Sequence, residues 1–136
     1  MRQESMLSTS SPNASDGGCG LILDKIEFLL KAQQLADGVD QVEPLLEDLT
    51  DQIRDRGSCR PAVAERFLAL MQEIDPWSLE VLQYCMHELR WQEVLDRAED
   101  LFRKESGVAR RRLYERLLES FEDDWKEREF FRRYSD

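Results

Sequence analysis

Glu43, Glu47, Asp51 and Asp55 recur every four residues, with Asp40 and Asp48 beside them. On a helix this spacing stacks side chains along one strip, and a strip of ionised carboxylates attracts cations. Within residues 37–55 seven acids stand against Arg54 alone, the sharpest charge feature of the chain. Each like-charged pair at this spacing costs a helix a few tenths of a kcal/mol, about 1 kcal/mol for the strip. Asp55 also opposes the helix dipole. A solvated face carries that penalty to no end, whereas a binding face has it relieved when a basic partner docks. Asp40, Glu43, Glu47, Asp48, Asp51 and Asp55 are therefore the expected partner-binding residues.

No comparable set points to catalysis. His87 is the only histidine, and Cys85, two residues earlier, projects to another side of the same helix. The two make neither a zinc cluster nor a nucleophile and base. His87 is expected to be exposed and Cys85 structural. One histidine completes neither H-E-x-x-H nor the paired Glu-x-x-His ligands of helical di-iron bundles. A carboxylate magnesium site from Glu93, Asp96 and Asp100 with acids of another helix is a third reading. No catalytic residue, metal ligand or cofactor is otherwise expected. Gly17-Gly18-Cys19-Gly20 lacks the strand that precedes a phosphate loop. Arg110, Arg111 and Arg112 could face a phosphate, but Glu115 and Glu119 lie within helical reach and surface pairing is expected instead.

Charge narrows the partners. A net charge of −10 and a pI near 4.7 argue against nucleic acid and anionic membrane, which are held by clustered Lys and Arg. A basic protein is the better complement. No apolar run reaches the ~20 residues of a membrane-spanning helix. Cys19, Cys59 and Cys85 are odd in number, without C-x-x-C spacing or an apolar leader before them, so free thiols and a cytoplasmic location are expected. A monomer or weak dimer is expected.

The elements that position these residues are helices. Residues 8–20 are small, polar and rich in Ser and Gly, so residues 1–20 read as a disordered tail and residues 21–136 as a single all-α domain. Apolar residues then recur at three- and four-residue spacing, predicting helices near 21–36, 41–56, 61–74, 76–90 and 91–105, with a sixth from Val108. Asp75-Pro76 is a specific start signal, a capping carboxylate followed by proline at the first helical position. The fourth helix keeps only a narrow polar stripe of Glu80, Gln83, His87 and Arg90, which marks it as central. Residues 108–134 allow one helix or two. Phe121, Trp125, Phe130, Phe131 and Tyr134 fit a terminal helix docked on the core, or an interface with a partner.

Six or seven antiparallel helices result, as a HEAT-like helical-hairpin array or an irregular helical bundle. An offset of 31 residues aligns Glu65-Arg66 with Asp96-Arg97, Leu70 with Leu101 and Leu82 with Leu113, which favours repetition. The residues carry no family signature. The function expected from them is a non-enzymatic acidic protein-binding module, in concrete form an inhibitor or immunity-type protein that covers the basic cleft of a toxin or nuclease. The alternative is a helical-repeat scaffold or adaptor that binds a peptide in a groove near Trp77 and Trp91 or at the terminal aromatics.

Overall fold

The computed structural model describes residues 13–35 and 39–131. Among the described residues six α-helices carry the fold: α1 (Asn13–Leu35), α2 (Val39–Asp55), α3 (Arg60–Gln72), α4 (Pro76–Leu89), α5 (Gln92–Lys104) and α6 (Val108–Glu119). Short 3-10 turns at Gly57–Cys59 and Lys126–Phe130 complete it, and no strand occurs among the described residues. The all-α expectation holds.

The helices are placed by their caps and apolar stripes. Asp75 Oδ1 accepts from the Ser78 N–H at 2.8 Å while Ser78 Oγ accepts from the Asp75 N–H at 3.1 Å, a reciprocal box that starts α4. Pro76 occupies the first turn, where its missing N–H leaves nothing unpaired. Ile22, Ile26 and Leu29 of α1 face the core with Leu46, Leu49 and Ile53 of α2, each spaced for one helix face. Val63, Phe67 and Met71 do the same for α3. Truncating a ring such as Phe67 would cost about 3–5 kcal/mol, because its neighbours cannot collapse into the space.

Short connections fold α1 onto α2 and α5 onto α6, and α3 packs on α4. The hairpins stack, with α1, α3 and α5 in one layer and α2, α4 and α6 in the other, while α1 also reaches α4. Bonds from Arg60 to Glu93, Gln83 to the Arg116 carbonyl, His87 to the Ser120 carbonyl and Arg90 to Asp123 each span 33 residues. One hairpin length thus brings like positions together, close to the 31-residue offset read from the sequence.

Two expectations about the start of the chain are corrected. α1 begins at Asn13, so residues 13–20, expected in the tail, are helical; residues 1–12 lie outside the described residues. Cys19 and Cys59, expected as free thiols, form a disulfide with Cα atoms 5.4 Å apart. Forty residues of chain separate them, so no local spacing announces the bond; folding α1 against the turn before α3 creates it. Cys85 is the free cysteine, fully buried in α4, as its structural reading required. Burial pushes its thiol up to about 12.

Candidate functional site

The carboxylates of α2 do not form a shared exposed strip. Glu43 is buried, 3% exposed. Glu47 is half-buried. Asp48 is exposed but taken: Lys25 Nζ of α1 lies 3.0 Å from Oδ2, and Gln52 Nε2 donates to the same carboxylate at 3.1 Å. The hydrogen bond from Lys25, then that from Gln52, holds Asp48 below the ordinary carboxylate range. Asp51 lies 3.6 Å from Arg54, whose other nitrogen bonds Glu88 of α4 at 2.6 Å. Asp55 is exposed, and the Asp40 side chain lies outside the described residues. Four-residue spacing drifts around the helix by about 40° a step, so the row runs from the buried side at Glu43 to solvent at Asp55. The expected binding face is therefore divided between core, internal ion pairs and solvent.

The polar stripe of α4 is likewise covered, which corrects the exposed His87. The chain after α6 returns over it. His87 is buried, and its Nδ1 lies 2.9 Å from the Ser120 carbonyl, with the Trp125 ring centred 5.0 Å away. Gln83 Nε2 donates to the Arg116 carbonyl at 3.1 Å and to Glu127 Oε2 at 3.2 Å. Arg116 grips Glu127 through two hydrogen bonds, at 2.6 and 3.2 Å. Burial raises the Glu127 carboxyl, but the Arg116 guanidinium outweighs it and leaves the group below its ordinary value. Trp125 and Phe131 are buried, and Phe131 meets Tyr84 edge-on with centroids 5.0 Å apart. These aromatics belong to the core, as the docked reading held, although a 3-10 turn delivers them where a helix was expected. The Phe130 side chain and Tyr134 lie outside the described residues.

Arg90 closes α4 with φ at 54°, a left-handed conformation that favours glycine. Its side chain recovers what the backbone loses: Nε donates to the His87 carbonyl at 3.0 Å and Nη1 to Asp123 Oδ1 at 2.9 Å. An arginine here ties the returning chain to the end of the helix.

The remaining chemical sets are paired within the chain. Arg112 bonds Glu115 at 2.7 Å and lies 3.6 Å from Glu119, and Arg111 stacks over Phe102 at 4.4 Å. Glu93 is held by Arg60, while Asp100 receives Lys104 at 3.1 Å, and Asp96 accepts from Gln92 at 2.8 Å. Among the described residues no three His, Cys, Asp or Glu side chains converge on a point that could hold a metal. No helix among them is long and apolar enough to cross a membrane.

A larger hollow of about 450 Å³ between α5 and α6 is rimmed by charged side chains such as Arg103, Arg111 and Glu115, while a cleft of about 220 Å³ between α1 and α3 is lined by Leu30, Gln34, Arg66, Leu70, Glu73 and Trp77. Trp91 and Trp125 are buried, but Trp77 is 44% exposed at the rim of this cleft. Its place in the first turn of α4 puts it ahead of the helix's buried stripe. Glu73 and Asp75 give the same rim a negative edge. Peptide contact near Trp77 is one of the expectations from the sequence, and its position in the capping turn of α4 is the local signal for its exposure. Neither a family model nor a curated protein nor a solved structure matches this chain.

Proposed function

We propose that this chain is a non-enzymatic protein-binding module that takes a peptide segment into the cleft between α1 and α3. The observation that carries the reading is Trp77, the one half-exposed tryptophan, standing over a concave surface made by two stacked hairpins. Aromatic side chains at the edge of a pocket are the usual anchors of such contacts. Leu30 and Leu70 supply an apolar floor, and Glu73 and Asp75 favour a Lys or Arg next to the inserted apolar residue. The acidic overall charge assists the same partner by steering a basic segment to the surface.

The inhibitor or immunity reading depended on the α2 carboxylates acting together, and their division removes its stated basis. The cytoplasmic expectation rested on unpaired cysteines; a disulfide belongs more naturally to an oxidising compartment.

The test is selection from a random displayed peptide library against the folded chain. Peptides that pair an aromatic or aliphatic residue with an adjacent Lys or Arg, and that lose about tenfold or more in affinity for Trp77→Ala with helicity intact, support the reading. A selected panel that binds Trp77→Ala as well as the parent, or a selection that yields no binder, removes it.

A further inference from the structure

We propose that a second copy of this chain packs against α1, antiparallel and two-fold symmetric about Phe28. This surface is separate from the cleft at Trp77. Leu21, Phe28 and Leu35 are 62%, 60% and 84% exposed, although each is large and apolar. They stand seven residues apart, and a helix turns by only about 20° from a full repeat over that distance. The three therefore form one row about 21 Å long on the outside of α1. Ile22, Ile26 and Leu29 occupy the opposite side and are buried in the core.

Among the described residues the row lies on the first hairpin of the stack. An end hairpin has no neighbour on its outer side and is ordinarily polar there to keep the array soluble. Here it is apolar at three successive levels. Charge then names the occupant. Asp24 and Lys31 run alongside the row, both exposed, and among the described residues neither has an ion-pair partner. In an antiparallel pair centred on Phe28, Leu21 meets the second copy's Leu35 and Phe28 meets its own equivalent. Asp24 then comes beside the second copy's Lys31, and Lys31 beside its Asp24. The same pattern is thus complementary to itself, as an isologous interface requires. A helix partner of arbitrary sequence has no reason to match both the apolar row and the charge order. The patch is smaller than the roughly 800 Å² per side of a standard interface, so the dimer is weak and dissociates on dilution.

Sedimentation of the full chain over a wide concentration range tests this. The expected result is a reversible monomer–dimer equilibrium weakened about tenfold or more by Phe28→Asp. Asp24→Lys and Lys31→Asp should each weaken it, since each sets like charges opposite one another. The double variant Asp24→Lys with Lys31→Asp should recover most of the association. All three side chains replaced are exposed, and circular dichroism shows whether each variant keeps its helices. A chain that stays monomeric at every concentration overturns the proposal. So does a dimer indifferent to Phe28→Asp, or a double variant no better than the single ones.

Discussion

The Nδ1 atom of His87 donates to the carbonyl oxygen of Ser120 across 2.9 Å, joining the last turn of α4 to the residue after α6. A carbonyl can only accept, so Nδ1 carries the hydrogen. Ser120 Oγ in turn donates to the Leu117 carbonyl at 2.6 Å, which fixes the turn that presents this acceptor. Through that bond a side chain expected in solvent becomes the fastening point of the C-terminal segment.

Burial lowers the affinity of His87 for a proton below its ordinary value of 6.5, with Arg90 and Arg128 adding to the effect and the Ser120 bond and Glu88 opposing it. The unfolded chain then takes up its proton first as pH falls. Stability from this group is present above pH 6.5 and declines as pH drops from there through the folded value. Denaturant midpoints should fall between about pH 7.5 and 5.5, and His87→Asn, which keeps a donor near Nδ1 and does not titrate, should flatten that slope. An equally steep slope in the variant would assign it to other groups.

Glu127 holds the returning chain to Arg116 and Gln83. Glu127→Ala should lower stability by about 1–2 kcal/mol, leaving two donors short of an acceptor. Its carboxyl and that of Asp123 both lie below their ordinary values, so their contribution is present above those values and is lost as pH falls through the folded ones, a window more acid than that of His87. Tryptophan emission should report the change, since Trp125 is buried by the same segment. An unchanged midpoint for Glu127→Ala would mean that the rings alone dock the segment.

The Cys19–Cys59 bond closes a 40-residue span. Removing it in Cys19→Ser with Cys59→Ser should cost about 2–4 kcal/mol, chiefly by freeing the unfolded chain. Cys85, with its thiol raised to about 12 by burial, should resist thiol reagents in the folded protein and react once the chain is unfolded. Three reactive thiols in the unfolded, unreduced chain would contradict the pairing.

At the start of α4, Asp75→Ala should cost about 1 kcal/mol, the usual loss for a capping carboxylate. Asp75→Asn should retain most of that stability, because its side-chain oxygen still accepts from the Ser78 N–H. Thermal melts of the two variants separate cap from charge: equal losses would make the charge the dominant part.

Local signals in the chain were enough for much of the architecture. The Asp75-Pro76 start marks a boundary that α4 respects, because caps depend on neighbours along the backbone. The burial of Ile22, Ile26, Leu46 and Phe67 follows from three- and four-residue spacing, a property of one helix face. The candidate site was less legible. Spacing alone grouped Glu43 with Asp55, yet it could not tell which of them faces α1 and the core.

By itself the sequence determined that this protein is helical, where most helices begin and end, and which face of each is apolar. Only the tertiary structure decided that Cys19 meets Cys59, that Lys25 neutralises Asp48, and that Trp125 and Glu127 cover Gln83 and His87. It also left Phe28 and Trp77 uncovered. Helix formation is governed by residues within one or two turns, whereas exposure and pairing depend on what another part of the chain brings alongside. Two side chains of identical local pattern therefore end in core and in solvent according to the stacking of hairpins.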